Sequence, residues 1–182
     1  EAAQALPEED YRRDLQVAVT SLHGTLNHIL VGDRIWVSRM EGFGSPPLAL
    51  DQILADTKEA LRSERRATDD AIDRFVDAAD FDGVFNYERG GEQFCQPIAP
   101  AAMHMFNHQT HHRGQCHAML TRLTGKAPSM DLVFSQRETG VGMALASHGD
   151  RVLLGFEIAA GSYSNVVEDF RRRGAKIEVH PE

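Results

Sequence analysis

Apolar residues recur at a helical period through much of the first 80 residues of the chain. A short first helix is predicted where Pro7 precedes three acidic residues, because a helix start favours proline and negative charge. A second helix is predicted over residues 22–42, with Ser21 as its N-cap and Gly42 at its end. Its apolar positions follow the 3.6-residue period, namely Leu22, Leu26, Ile29, Leu30, Trp36, Val37 and Met40. The same periodicity over residues 48–79 predicts a third, long amphipathic helix.

A hairpin and a further helix are predicted in the middle of the chain. In residues 81–99 a Gly-Gly pair separates two aromatic-bearing arms, which is typical of a β-hairpin. From Pro100 a helical pattern runs to about Leu123, and Gly125 is the expected C-cap. Long helices with short connections favour a bundle, so the predicted fold class is mainly α, of four-helix-bundle type.

The last forty residues differ in character from this helical part. Residues 151–159 and the segment KIEVHP predict two strands, and SNVVEDFRRR predicts a short helix that ends at Gly174. The sequence therefore predicts a helical domain over residues 1–140 and a small β-α-β-like extension over residues 141–182.

The composition argues against several classes of protein. The formal net charge of −8 argues against a nucleic-acid-binding protein, which needs a basic surface to neutralise phosphates. No run approaches 18 apolar residues and the acidic start EAAQALPEED has no apolar segment, so neither a membrane span nor a signal peptide is expected. The two cysteines, Cys95 and Cys116, lack CxxC spacing, which favours the reducing cytoplasm over a disulfide framework.

Histidine is concentrated in one predicted helix. Residues 103–119 hold five of the nine histidines: His104, His108, His111, His112 and His117. His104, His108 and His112 are four residues apart, and imidazoles at that spacing stand roughly 5–6 Å apart at Cβ, close enough to bind one metal ion. The spacing leaves two pairs open as metal ligands, His104 with His108 and His108 with His112.

A metal site on this helix needs a third ligand from elsewhere in the chain. His28 lies mid-helix at an apolar boundary and is the better candidate, whereas His23, near the helix start, is expected to be solvated or to act as a cap. A bundle can bring His28 beside an HxxxH pair, and three imidazoles leave coordination positions open, as in catalytic sites. The alternative is that His28 is a hydrogen-bonded core histidine.

Two segments, SLHGTLNHILVGDRIWVSRMEG and FNHQTHHRGQCHAMLTRLTGKAPSMDLVF, resemble the DinB-like superfamily of bacterial metalloenzymes. The resemblance covers about residues 1–140 and is carried by the patterns NHIL-x2-D-x2-W and NHxxxHRGQ. It implies a four-helix bundle that holds a divalent metal, usually nickel or zinc, through three histidines. Carried onto this chain, the implied ligands are His28, His108 and His112.

Two departures from the family pattern bear on the fold. Members begin with a helix carrying a YNxWAN-like stretch, of which only the tail, EAAQALPEEDY, is expected here, so the first family helix is missing or truncated. Residues 141–182 have no counterpart in the family. A bundle with an uncovered seam needs a partner, and either the C-terminal segment or a second subunit could supply it. The resemblance favours a second subunit, and hence a homodimer.

Residues beside the candidate ligands carry smaller expectations. Asp33 lies roughly 140° around the helix from the candidate ligand, so an ion pair with Arg34 or Arg113 is expected rather than metal binding. Gly114 in mid-helix costs about 1 kcal/mol against alanine, which predicts the close approach of another backbone. Arg113 and Gln115 are candidates to orient a ligand or contact an anionic substrate, with surface packing as the alternative.

Four further side chains near the predicted site have expected environments. Trp36 and Cys116 are expected to pack in the core rather than to contact substrate or metal. On the predicted hairpin, Tyr87 and Glu92 occupy positions from which they can reach the mouth of a cavity.

Two functions from different classes fit these observations. The resemblance implies a metal-dependent enzyme acting on a small-molecule substrate, either an S-transferase that uses a low-molecular-weight thiol or a hydrolase. The chain lacks an HExxH frame, which argues against a metalloprotease, and the sequence identifies no catalytic residue. The alternative function is a non-catalytic metal- or ligand-binding module, and a third reading has the histidines packed without metal.

Overall fold

The computed structural model describes residues 1–17 and 19–131, together with the backbone of three strands between residues 143 and 178. Contacts between Cα atoms divide the chain into two compact units, Glu1–Pro128 and Ser129–Glu182. The predicted domain boundary at residue 140 falls outside the described residues and stays a prediction.

The first unit is mainly helical. A 3-10 turn at Ala2–Ala5 precedes four helices: α1 at Glu8–Arg12, α2 at Leu22–Met40, α3 at Lys58–Ala78 and α4 at Ile98–Thr124. A two-stranded antiparallel sheet, β1 at Val84–Arg89 and β2 at Glu92–Pro97, lies between α3 and α4 in the chain. Among the helices that the structure describes, none is long and apolar enough to cross a lipid bilayer. The mainly helical fold class with a small hairpin is confirmed.

The central helix of this unit is α2, which packs against α1, α3, α4 and β1. It begins where predicted, because Ser21 Oγ accepts a hydrogen bond of 3.1 Å from the backbone N–H of Gly24. It ends at Met40, two residues before the predicted Gly42. Most of its residues are buried, since neighbouring elements cover more than one of its faces.

The third helix is shorter than predicted, since α3 begins at Lys58 and not near residue 48. Residues 41–57 instead form a loop, and backbone groups of this loop hydrogen bond to the side chain of Asn27 on α2. Leu50 and Ile53, which contribute to the helical period of the sequence, remain exposed. A buried polar side chain has therefore overridden the local apolar pattern.

The hairpin and the start and end of α4 follow their sequence signals. Gly90 and Gly91 have φ values of +63° and +84°, as a two-residue turn with both central residues left-handed requires. Helix α4 begins two residues before Pro100. It ends with Gly125 in the left-handed conformation, at a φ of +76°.

Two apolar clusters form the core of the first unit, and α2 and α4 contribute to both. One includes Leu30 of α2 and Met119 of α4. The other lies between α2, α3, the hairpin and the first half of α4, and includes Phe75 and Met105. On α4, residues 106–115 separate the two clusters and carry three histidines, His108, His111 and His112. Packing on both sides therefore fixes the position of this polar segment.

The second unit contains a three-stranded antiparallel sheet. Its strands are β3 at Met143–His148, β4 at Arg151–Phe156 and β5 at Lys176–Glu178, in the order β4-β3-β5. Strands β4 and β5 fall in the two segments predicted as strands, whereas β3 has no counterpart in the sequence prediction. The helix predicted to end at Gly174 lies outside the described residues.

Candidate metal centre

Three imidazoles converge at the contact between α2 and α4. His28 of α2 and His108 and His112 of α4 each offer a ligand nitrogen, and these three nitrogens lie within 4.8 Å of one another. The Nε2 atoms of His28 and His108 are 3.2 Å apart. A tetrahedral metal with bonds of about 2.0–2.1 Å to imidazole holds its nitrogens roughly 3.3 Å apart. The three residues therefore fit a divalent metal, and the sequence-predicted set is brought together.

Hydrogen bonds set the tautomers of two of these rings. His28 Nδ1–H donates to the carbonyl oxygen of Leu50 at 2.8 Å, because a carbonyl can only accept. His112 Nδ1–H donates to Gln115 Oε1 at 2.8 Å, and Gln115 Nε2 in turn donates to His111 Nε2 at 3.1 Å. Both arrangements leave the Nε2 lone pair to face the convergence point. The expectation that Gln115 orients a candidate ligand agrees with this contact.

Packing against α2 positions the His108 ring, whose Nε2 also lies 3.2 Å from Nε2 of His28. Its ring lies against the backbone of α2 at Gly32, where an added Cβ would come within 3.0 Å of Cε1 and 3.3 Å of Nδ1. Nδ1 is buried and has no hydrogen-bond partner among the described residues. Only glycine allows α2 and the ring to come this close, so Gly32 is part of the site.

Burial favours the uncharged form of His108 and His112. It lowers the pKa of His108 from 6.5 to about 4, with further lowering from the neighbouring imidazoles, chiefly His112 and His28. Burial also lowers the pKa of His112, an effect that the hydrogen bond to Gln115 opposes. Neutral imidazole is the form that binds metal, so His108 and His112 favour the protonation state that a metal ligand requires.

Asn27 fixes the loop that supports His28. Its Oδ1 accepts hydrogen bonds of 2.9 Å from the N–H groups of Leu54 and Ala55. Its Nδ2 donates at 3.1 Å to the carbonyl of Ala55 and to that of His23. The side chain is fully buried and ties residues 41–57 to α2, which places the Leu50 carbonyl against His28. Sequence reasoning missed Asn27, although a poor helix former directly before a candidate ligand was a usable signal.

Two other histidines lie apart from the convergent group. His23 is 5% exposed and its Nε2 is 3.1 Å from the Ala55 carbonyl, so the expectation of a solvated or capping residue is wrong. The cause is the same loop, which covers the start of α2. His104 is exposed and packs its ring against Trp36 at 5.0 Å between centroids. Of the two histidine pairs that the spacing left open, the one that converges with His28 is therefore His108 with His112.

Asp33 pairs with an arginine that the sequence analysis did not consider. It is fully buried and accepts a hydrogen bond from Arg65 of α3, while Arg34 pairs with Glu64. The expected ion pair with Arg34 or Arg113 is therefore wrong, because α3 packs on this face of α2. Burial raises the pKa of Asp33, and the hydrogen bond from Arg65 opposes that rise. Asp33 is not a member of the convergent group, as expected.

The expectations for Gly114 and Cys116 have opposite outcomes. A Cβ added at Gly114 would have no atom of another described element within 4 Å. The expected close approach of another backbone is therefore absent there. Cys116 packs in the first apolar cluster, and burial raises the pKa of its thiol to about 12. A thiol that resists deprotonation is a poor metal ligand, which agrees with a packing role.

The convergent group is partly exposed to solvent. Its first two members, His28 and His108, are only half-buried, and no fourth His, Cys, Asp or Glu of the described residues joins them and His112. A separate cavity of about 400 Å³ lies between the N-terminal turn, α2, α3 and α4, and none of the three histidines lines it. The geometry thus resembles catalytic metal sites, which keep coordination positions for other ligands.

Comparison with known proteins gives one match. The model of the DinB family matches residues 1–143 of this chain. Neither the curated proteins nor the solved structures contain a significant match.

Proposed function

The chain belongs to the DinB family, and on that premise we propose that it is a divalent-metal-dependent enzyme that acts on a small molecule. The observation that carries the proposal is the convergence of three imidazole nitrogens within 4.8 Å, two of them on half-buried side chains. The family match supports it, since the matched region includes all three histidines.

Different residues of the site would bind the metal and orient its ligands. His28, His108 and His112 would hold the metal through Nε2, and three nitrogen donors suit zinc and nickel alike. When bound, such a metal supplies Lewis acidity that lowers the pKa of a coordinated water or thiol. Leu50 and Gln115 hold two of the rings in the ligand tautomer.

In the proposed reaction, the sulfur of a low-molecular-weight thiol is transferred to a small electrophilic substrate. Hydrolysis at the same site is the second candidate reaction. The partial exposure of His28 and His108 gives a small molecule access to the convergence point. A structural metal site would need a closed fourth ligand, and the described residues provide none in the convergent group. That observation favours an enzyme over a non-catalytic binding module.

We also propose that the protein acts as a homodimer in the cytoplasm. Met103 and Phe106 on α4 are 73% and 41% exposed, and the open space beside Gly114 lies on the same helix. Light scattering at micromolar concentration should give twice the chain mass, and a monomer would count against the dimer.

The reaction is tested by incubating zinc- or nickel-loaded protein with a panel of low-molecular-weight thiols and a soluble electrophile. Thiol consumption that disappears in His112→Ala supports transfer. Cleavage of an ester probe without thiol would indicate hydrolysis instead. Metal-loaded protein that performs neither reaction across the panel would support the non-catalytic module.

A further inference from the structure

The face of α2 that carries His28 continues to a buried arginine. Arg39 follows His28 by eleven residues, which is roughly 20° of rotation and about 16 Å of rise on an α-helix. Gly32 and Trp36 lie between them on neighbouring positions of the same side. The face therefore runs from the candidate metal centre to the C-terminal end of α2.

Arg39 is a buried cation without a carboxylate partner among the described residues. It is 8% exposed, and its guanidinium carbon lies 4.4 Å from the ring centre of Tyr87 and 5.1 Å from that of Trp36. Its Nε donates to Ser45 Oγ at 2.9 Å. No Asp or Glu oxygen in residues 1–17 and 19–131 lies within 4.0 Å of its nitrogens.

The surroundings of Arg39 favour an anion. A buried guanidinium without a counter-charge is costly, and two aromatic faces compensate only part of that cost. Burial lowers the pKa of Arg39, Tyr87 opposes this effect, and the charge of Arg89 adds to it. A carboxylate bound to the guanidinium would supply the missing counter-charge.

A row of aromatic rings connects this arginine with the candidate metal centre. Trp36 packs against His104 at 5.0 Å between centroids, and His104 is 6.2 Å from His108. Trp36 is half-buried and His104 is exposed, so solvent reaches the row. Trp36 packs against the second cluster, in line with the expectation of core packing, and its side chain stays partly accessible.

From this juxtaposition we propose that Arg39 binds the carboxylate of an elongated anionic substrate whose thiol end lies at the three-histidine site. The planar guanidinium fork matches a carboxylate in two parallel hydrogen bonds. Trp36 and His104 would contact the body of the substrate. For its thiol contact the proposal rests on the function proposed above, whereas the carboxylate contact stands without it.

The competing role for Arg39 is purely structural. Ser45 Oγ accepts from Arg39 and donates to the Glu88 carbonyl at 2.8 Å, which ties the loop after α2 to the hairpin. Ser45→Ala removes this tie and keeps the guanidinium, so it is the matched control. A structural role predicts that Ser45→Ala and Arg39→Gln have similar effects, whereas substrate binding predicts that they differ.

The test uses Trp36, the only tryptophan of the chain, as a fluorescent reporter. Metal-loaded wild type is titrated with ω-mercaptoalkanoates of increasing length and with ω-mercaptoalkanols of equal length. We expect the acids to bind at least about tenfold more tightly than the alcohols, with an optimum at a length of roughly 15 Å, which the helix rise between the two sites sets. Arg39→Gln should abolish that preference at unchanged metal content, Arg39→Lys should keep part of it, and Ser45→Ala should keep it.

Separate outcomes bear on the two proposals. In metal-free protein, plain alkanoates should still quench Trp36 in wild type more strongly than in Arg39→Gln. If wild type binds no metal but still shows this stronger quenching by alkanoates, the proposed function is refuted and the carboxylate site at Arg39 is supported. Equal affinity for acids and alcohols, or an equal loss in Ser45→Ala and Arg39→Gln, overturns the role of Arg39.

Discussion

The Nε2 atoms of His28 and His108 lie 3.2 Å apart, although the two residues are 80 positions apart in the chain. Because His28 holds its proton on Nδ1 against the Leu50 carbonyl, its Nε2 presents a lone pair at this contact. The contact is therefore satisfied by a proton on His108 or by a metal ion. The metal affinity of the site should therefore depend on the residues that hold each of these two rings in place.

Asn27→Ala should weaken metal binding without touching a ligand. The loop over residues 41–57 would lose its three hydrogen bonds to the Asn27 side chain, and the Leu50 carbonyl would no longer orient His28. We expect an affinity loss of about 10–100-fold, the usual effect of removing groups that orient a ligand. Competition with a chromophoric chelator measures it, and Asn107→Ala, an exposed asparagine before His108, should bind as wild type does.

Gly32→Ala should displace the His108 ring. The new Cβ would stand 3.0 Å from Cε1, closer than ordinary contact allows, so the ring has to shift and metal affinity should fall by about tenfold. Gly114→Ala is the matched control, because no atom of another element in the described part of the chain lies within 4 Å of its Cβ position. It should keep the affinity and stabilise the protein by up to about 1 kcal/mol in urea unfolding. Equal affinities in both variants would contradict the packing role of Gly32.

Asp33→Asn should lower stability while leaving the metal content unchanged. The carboxylate is fully buried against Arg65, whose side chain is 29% exposed, so we expect a loss of about 2–3 kcal/mol in the free energy of unfolding. Asp69 contacts the same arginine from an exposed position, and Asp69→Asn should cost less than about 1 kcal/mol. Loss of metal in Asp33→Asn would show that Asp33 acts on the site directly.

The metal-free protein should lose stability as the pH falls from about 6.5 to about 4. The pKa of His108 is lowered from 6.5 to about 4 in the folded protein, so between these values only the unfolded chain takes up that proton. Urea unfolding at about pH 7 and about pH 5 measures the loss. His108→Gln has no imidazole at this position and should show a smaller loss, whereas an equal loss would mean that other groups cause it.

The sequence predicted the parts of this site that depend on local spacing. Helical spacing predicted a ligand pair that includes His108, with either His104 or His112, and the family resemblance selected His112. The Ser21 cap, the Gly90-Gly91 turn and the Gly125 cap have local signals. His28 was identified through its apolar neighbours and through the family resemblance.

The remaining features depend on contacts between distant segments. Residues 48–57 have a helical apolar period, but they belong to the loop over residues 41–57. The buried Asn27 side chain hydrogen bonds to the backbone of this loop, where Ala55 is buried. The same loop buries His23, and the packing of α3 brings Arg65 to Asp33. No local pattern encodes which faces of two helices meet, so these partners required the tertiary structure.

The central claim is that His28, His108 and His112 together hold one divalent metal ion. Metal content by mass spectrometry, on protein purified without a histidine tag, tests it most directly. We predict about one metal per chain in wild type and in the controls His104→Ala and His111→Ala, and almost none in His28→Ala, His108→Ala or His112→Ala. Metal retained in His28→Ala, or lost in His104→Ala, would contradict the three-histidine site.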